Sequence, residues 1–415
     1  MFNFKKRKEV LAWSFYDFAN QPFSTIIVTF LYGAFFTTFI AQDEQIGTFL
    51  WGNAIALTAI IASILSPILG AFADTSGYRK FLLLIFTWIC ILFSALLFFP
   101  EKGDIYQALI FFIIANVSFE MGTVLYNSYL PDLANKDNIG KISGFAWGFG
   151  FIGGLLALVL GYFLFDIATS LGIRRMNLLV AIWFAIFSIP IFTLKDLPEK
   201  KSGHVFGIPA LTYYTFSNLY NTFKEISKYN IIVRFLIARL FYNDGLVTVF
   251  ALGGIYAVGS VGFTFSEVMI LGIVLNICAA FGSFFFSFFE DRIGSHVVIT
   301  ITIYTLIFAV ILAFISPLTS YSKLVFWISG ILIGLMTGPN QSSSRALMAR
   351  LIPEEKKNEF FGFFAFTGKA TAFLGPMMFG LITKLYNQRI ALLIVVLFFI
   401  IGLYFFNQFK KRNIL

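Results

Sequence analysis

The stretch that decides the fold is VLAWSFYDFANQPFSTIIVTFLYGAFFTTFIAQ, residues 10–42, which lies between Glu9 and Asp43. Asp17 is the one charged residue within it. About 20 apolar residues are enough for a helix to cross a bilayer, so this stretch predicts a membrane-spanning helix. A carboxylate near the centre of such a helix costs roughly 2.5–3.5 kcal/mol. We therefore treat Asp17 as a candidate functional residue.

The composition extends this prediction to the whole chain. Of the 415 residues, 59% are hydrophobic and 12% are charged, whereas soluble domains average about 25% charged residues. Lipid must cover so much apolar surface, and the expected fold class is therefore an all-α, multi-pass membrane protein. The N-terminal sequence MFNFKKRKEV enters the first apolar stretch without a small-residue cleavage site. We interpret it as a cytoplasmic tail and not as a signal peptide.

The chain offers little for a metal, a cofactor or a nucleic acid. Cys90 and Cys278 lie in apolar stretches, and His204 and His296 lie in predicted loops. These residues fit neither a disulfide framework nor a metal centre, and no cofactor is expected. The net charge of +9 is concentrated in alternate loops, as in membrane proteins, so we expect no nucleic-acid partner.

Apolar runs separated by charged or turn-rich breaks predict about twelve spans. They cover residues 11–40, 46–72, 81–99, 106–130, 142–168, 176–194, 231–258, 266–289, 297–315, 323–349, 360–384 and 390–408. One set of alternate loops, with both termini, holds 20 Lys and Arg residues, and the opposite set holds six, among them the pair Arg174–Arg175. The positive-inside rule then predicts that both termini are cytoplasmic.

An internal repeat divides the chain into two pseudo-symmetric halves of six helices. Asp74 and Asp291 each follow an apolar run at an offset of 217 (291 − 74), and Gly144 and Gly362 are 218 residues apart (362 − 144). Near-constant offsets indicate a duplicated six-span unit, an architecture common in secondary transporters. We predict an N-terminal half at residues 1–194, a cytoplasmic linker with an interfacial amphipathic helix at 195–230, and a C-terminal half at 231–415.

The segment GAFADTSGYRK, residues 70–80, resembles the cytoplasmic loop signature of the major facilitator superfamily. Thr75 departs from that signature, which often has a basic residue there. The second copy of the repeat carries a shorter version of the signature after the eighth span. The residues assigned to this loop motif are Gly70, Asp74, Gly77, Arg79, Lys80, Asp291, Arg292 and Gly294.

Two further segments resemble the vacuole-effluxer-like branch of the same superfamily, whose fungal members export amino acids from the vacuole. They are WSFYDFANQPF at residues 13–23, in the first span, and GPNQSSSRALMARLIPEEKKNEFFGFFAFTGKATAFLGP at residues 338–376. The resemblance implies the major facilitator fold and an amino acid or related small metabolite as substrate. Within these spans, we interpret GPNQ and FLGPMMFG as packing and kink segments.

Six charged residues fall inside predicted spans away from the terminal turns, whereas Arg234 lies at the start of the seventh span and is interpreted as interfacial. They are Asp17, Glu120, Arg239, Asp244, Arg345 and Lys369. All but Lys369 lie on spans one, four, seven and ten, which line the central cavity in the superfamily that the chain resembles. Polar neighbours extend this candidate substrate and coupling site. The site comprises Asp17, Asn20, Glu120, Asn127, Arg239, Asp244, Asn340, Gln341, Arg345 and Lys369.

Several roles remain open for these residues. Asp17 is either an interfacial acid near the basic tail or a gating or coupling group, and Glu120 is either a coupling acid or a helix-packing hydrogen-bond partner. Arg345 either binds a substrate carboxylate bidentately or closes the cytoplasmic side with a salt bridge. Lys369 is expected to pair with an acid. Pro22 frees a backbone carbonyl in the first span, and this carbonyl could also face the cavity.

The sequence therefore predicts a secondary active transporter that moves a small polar or zwitterionic metabolite, most plausibly an amino acid, by alternating access. Arg345 would bind the carboxylate, while Asp17 or Glu120 would bind the amine or carry a coupling proton. The alternatives are an exporter of amphiphilic compounds and a non-translocating, transporter-like receptor. No HExxH, GxxxxGK[ST] or hydrolase triad indicates an enzyme. We expect a monomer in a bacterial cytoplasmic membrane.

Overall fold

The computed structural model describes residues 7–135, 138–167, 169–194, 214, 217, 220–221, 224, 226–353, 356–369, 371–372 and 374–413. These residues are folded into helices and short turns, without a β-strand. The main helices are α1 (Arg7–Ile40), α2 (Glu44–Ser76), α3 (Arg79–Leu96), α4 (Ile105–Asn127), α5 (Ile139–Leu164), α6 (Ser170–Phe187), α7 (Asn230–Gly259), α8 (Phe265–Ile293), α9 (Ser295–Ile315), α10 (Ser322–Leu351), α11 (Lys357–Lys369), α12 (Leu374–Leu385) and α13 (Gln388–Asn413).

Eleven of the described helices are long and apolar enough to cross a membrane. The predicted span 360–384 is instead divided between α11 and α12. Pro376 lies in the first turn of α12, where its missing N–H is tolerated. In a continuous helix its ring would clash with the carbonyl of the residue four positions earlier. The division precedes Pro376, where the FLGP segment predicts a kink, and α11 with α12 corresponds to the predicted eleventh span.

The first helix is not a regular α-helix. After Pro22 it continues as π-helix over Phe23–Phe30 and again over Phe36–Ile40. Proline removes the hydrogen bond to the carbonyl four residues before it, which here belongs to Phe18. The indole of Trp183, on α6, donates to this carbonyl at 3.1 Å. The freed carbonyl is thus bound within the N-terminal half and does not face the cavity.

The halves meet where α5 packs along α8 and α2 packs along α11 and α12. On α5, a Cβ added at Gly144 would lie 2.6 Å from the Cβ of Ser287 on α8. On α11, a Cβ added at Gly362 would lie 3.1 Å from the Cα of Pro67 on α2. The two glycines that the repeat relates therefore occupy equivalent places, each allowing a helix of the opposite half to approach closely.

The loop motif sits at the end of the bundle where α1 begins and α13 ends, which we call the predicted cytoplasmic end. Gly77 ends α2 with φ of 72° and Gly294 ends α8 with φ of 88°, backbone conformations that glycine adopts without strain. Arg79 is buried, pairs with Asp132 at 3.1 Å and stacks over the Tyr129 ring.

The remaining residues of the motif have different environments. Gly70 is buried within α2, and Lys80 donates to the carbonyl of Leu194. Asp291 pairs with Arg350 on α10, whereas Arg292 is exposed. The side chain of Asp74 lies outside the described residues. Most of the predicted linker, 195–230, also lies outside the described residues. The residues described between 214 and 224 are helical.

Candidate transport cavity

A cavity of about 280 Å³ lies between the two halves. Residues of α1, α2, α4 and α5 line it from one half, and residues of α7, α8, α10 and α11 line it from the other. Seven of the ten residues proposed from sequence contribute to this lining. They are Asp17, Asn20, Glu120, Asn127, Arg239, Gln341 and Arg345.

The other three proposed residues do not contribute to the described lining. Asn340 is fully buried, and its amide donates to Thr302 on α9 at 2.9 Å, so it packs inside the C-terminal half. Asp244 faces Gly375 at the start of α12. The Lys369 side chain lies outside the described residues. Asn340 and Asp244 differ from expectation because each faces a helix of its own half and not the space between the halves.

Arg345 bridges the two halves toward the predicted cytoplasmic end of the cavity. From α10 it reaches α5, where its Nε donates to the Ser143 hydroxyl at 2.8 Å and its Nη2 to the Ser143 carbonyl at 2.7 Å. Its Nη1 lies 3.2 Å from Asn127 Oδ1 on α4 and 3.5 Å from Asp17 Oδ2 on α1. The guanidinium thus joins one helix of the C-terminal half to three of the N-terminal half.

Aromatic rings surround the same guanidinium. Its carbon lies 4.8 Å from the centre of the Trp13 ring, 5.6 Å from that of Trp147 and 5.9 Å from that of Tyr126. The rings of Trp13 and Tyr126 stack at 4.6 Å, and the Trp13 indole donates to the Tyr126 carbonyl. Since a desolvated cation over an aromatic face gains about 2 kcal/mol, the rings help Arg345 to remain buried.

A second charged group lies deeper in the cavity, on α7. Arg239 donates through Nη1 to the Phe364 carbonyl at 2.7 Å and stacks over the Phe364 ring at 3.5 Å. Glu120, on α4 of the opposite half, lines the same cavity. The cavity therefore presents an acid from one half and a base from the other.

Amide groups continue this polar wall. Asn243 lies one turn after Arg239 and donates to the Gly368 carbonyl at 2.8 Å, while Gln341 donates to Asn243 Oδ1 at 3.1 Å. Asn243 was not among the residues proposed from the sequence, although other amides were. The helical spacing Arg239–Asn243 would have placed both on one face of α7. Ser143 was also missed, because no local signal marks a serine that binds an arginine 202 residues away.

Two pseudo-symmetric bundles around a charged cavity define a membrane transporter of the major facilitator superfamily. The chain matches the family described as "Vacuole effluxer Atg22 like" over residues 48–412 and belongs to this family. It is a multi-pass integral membrane protein that transports small molecules, and it is not an enzyme. Among the described residues, no group of three or more His, Cys, Asp or Glu side chains could hold a metal ion.

Relatives and solved structures agree with this assignment. The MFS-type transporter YxiO of Bacillus subtilis is 25% identical over 95% of this chain and 93% of its own length. Autophagy-related protein 22 of Kluyveromyces lactis is 25% identical over 74% of this chain and 68% of its own length.

The fold is similar to that of the human organic anion transporter MFSD10, with a TM-score of 0.73 at 12% identity over 97% of this chain and 99% of that one. It is also similar to the proton:xylose symporter XylE, with a TM-score of 0.72 at 15% identity over 97% of this chain and 95% of that one.

Proposed function

We propose that this protein carries a small zwitterionic metabolite, most simply an amino acid, across the membrane by alternating access. The observation that carries the proposal is the cavity between the halves, with Glu120 on one wall and Arg239 on the other. A zwitterion presents an ammonium and a carboxylate a few ångströms apart, which such an acid and base can bind together. The family description, vacuole effluxer, supports transport across a membrane.

The contacts favour Arg239 over Arg345 as the partner of the substrate carboxylate. Arg345 already donates to Ser143 and Asn127 and lies beside Asp17. Arg239 has one such bond, from Nη1, and its Nε has no hydrogen-bond partner among the described residues. Its planar fork can offer further donors to a carboxylate. In this proposal Glu120 binds the ammonium group of the substrate.

Asp17 and Arg345 then act as the gate at the predicted cytoplasmic end. Their bridge holds α10 against α1, α4 and α5 and must open before substrate can pass this end. A proton is the candidate coupling ion. The 20-to-6 distribution of basic residues between alternate loops supports a cytoplasmic location of both termini. We expect a monomer in a bacterial cytoplasmic membrane.

The test is a thermal-shift screen of the purified protein against the twenty common amino acids, followed by uptake of any hit into proteoliposomes. We expect a hit to raise the melting temperature, and its methyl ester and its decarboxylated amine to have little effect. Losing a buried charged partner costs several kcal/mol, so Arg239→Gln and Glu120→Gln should each weaken binding about 100-fold or more.

Arg234→Gln is the matched control, because Arg234 lies on the same helix outside the cavity lining. Wild-type affinity is expected for this variant. Stabilisation by apolar amphiphiles that is unchanged in both cavity variants would contradict the proposal and favour an exporter of amphiphilic compounds, for which the phenylalanine side chains of the cavity would be the binding surface.

A further inference from the structure

The division between α11 and α12 lies opposite the middle of α7, and successive turns of α7 contact both helix ends. Arg239 and Asn243 donate to carbonyls near the end of α11, those of Phe364 and Gly368. One residue further along α7, Asp244 faces the start of α12. A base thus lies at a helix C-terminus and an acid at a helix N-terminus, each on the side that the helix dipole favours.

Asp244 is the unusual member of this pair. It is 1% exposed, and its carboxylate lies beside the backbone N–H of Gly375 in the first turn of α12. Neither carboxylate oxygen has a hydrogen bond of good geometry among the described residues. The nearby hydroxyl of Thr248 donates to the backbone carbonyl of Asp244 and not to its side chain.

The described charged and titratable side chains on the helices around Asp244 point elsewhere. On its own helix, Arg239 binds the Phe364 carbonyl and the Tyr242 hydroxyl bonds to Ser344. Lys384, near the far end of α12, is exposed, and Arg389 on α13 lies over the Phe314 ring. The side chain of Lys369, at the end of α11, lies outside the described residues.

In this environment the neutral acid is the protonation state of lowest free energy for a buried carboxyl group. An ionised carboxylate without a cation or a full set of donors costs several kcal/mol in a low-dielectric interior, and such groups usually neutralise. A sodium ion would need several oxygen ligands and would meet the positive end of the α12 dipole. The surroundings therefore favour a proton over a metal cation.

We propose that Asp244 is a proton-binding site at the division of the eleventh span, distinct from the cavity acids Asp17 and Glu120. The inference deepens the transport function proposed above and rests on it. When Asp244 loses its proton, the new charge attracts the N–H groups at the start of α12 and changes how α7 holds the two helix ends. Because Asn243 and Arg239 bind α11 from the adjacent turn, the change reaches the cavity wall.

The test is an infrared pH titration of the reconstituted protein without substrate, following the C=O band of protonated carboxyl groups. The wild type is expected to show a band that disappears as the pH rises. Asp244→Asn should remove this band, while Asp17→Asn and Glu120→Gln should retain it. A band that persists in Asp244→Asn, or that disappears in Glu120→Gln instead, would overturn the proposal.

Lys369→Met tests the remaining alternative, in which Lys369 keeps Asp244 ionised. A carboxyl band absent from the wild type and present only in Lys369→Met would also overturn the proposal. Melting curves and size-exclusion profiles establish that each variant is folded. If Asp244→Asn fails to fold, Asp244→Glu replaces it, and its band is expected at a shifted frequency and pH. Since no substrate is added, the infrared result stands whether or not the zwitterion proposal holds.

Discussion

Arg345→Gln is expected to abolish transport and to open the predicted cytoplasmic end of the bundle. The residue is 2% exposed and bridges α10 to α1, α4 and α5 through Asp17, Asn127 and Ser143. Breaking a buried ion pair by removing one partner costs about 3–5 kcal/mol. About 3 kcal/mol corresponds to a roughly 100-fold shift in the equilibrium between the closed and open forms of this end.

Two measurements follow this shift. Substrate flux in proteoliposomes should fall to background. The distance between spin labels at Asn135 and Arg292, two exposed residues on opposite halves, should lengthen when it is measured by double electron–electron resonance. Arg174→Gln is the matched control, because Arg174 pairs with Glu101 inside the N-terminal half. Its spin-label distance is expected to remain that of the wild type. Unchanged distances in Arg345→Gln would show that the bridge does not hold the halves together.

Gly144→Leu is expected to have a comparable effect without touching any charge. A Cβ at Gly144 would lie 2.6 Å from the Cβ of Ser287 and 3.3 Å from the carbonyl oxygen of Ser283, both on α8. Overpacking at such a contact costs about 1–3 kcal/mol, and here the cost falls on the closed form of the predicted cytoplasmic end. Net transport should decline about 10-fold or more, while the cavity residues and their contacts remain.

The control for Gly144→Leu is Gly380→Leu on α12. An added Cβ at Gly380 meets no atom within 4 Å, so this variant should transport at the wild-type rate. Spin-label distances and melting curves separate a steric effect from a folding defect. If the new leucine side chain only pushes α5 and α8 apart, the distance between the halves lengthens in a protein that still melts cooperatively. Wild-type flux in Gly144→Leu would show that closure of the α5–α8 contact is not required.

The helical, multi-pass fold was predictable because hydrophobic length is a local property. A run of about 20 apolar residues predicts a membrane span without reference to the rest of the chain. The predicted and observed helices agree to within several residues for spans such as Asn230–Gly259. A kink in the eleventh span was also predictable from a local feature, the FLGP segment. The π-helical turns of α1 were not predicted from the sequence, and in the structure Phe23–Phe30 contacts α7 and α8.

Charge at membrane depth predicted most of the cavity lining for a similar reason. A buried ionisable residue is costly, so it marks a polar environment wherever it occurs. This reasoning found Asp17, Glu120, Arg239 and Arg345 without knowledge of their partners. It could not separate them from Asp244, which is as costly but faces α12, because the direction of a side chain depends on the neighbouring helices.

The sequence alone determined that this chain is a helical membrane protein, and its repeat and loop motif indicated two halves of the major facilitator type. These properties follow from hydrophobicity, charge and spacing, which act over one helix or one loop. Tertiary structure decided the pairing. Asp17 and Arg345 are 328 residues apart, and Arg345 reaches Ser143 only because α5 of one half packs beside α10 of the other. Such contacts depend on the packing of whole helices, which no single stretch of sequence specifies.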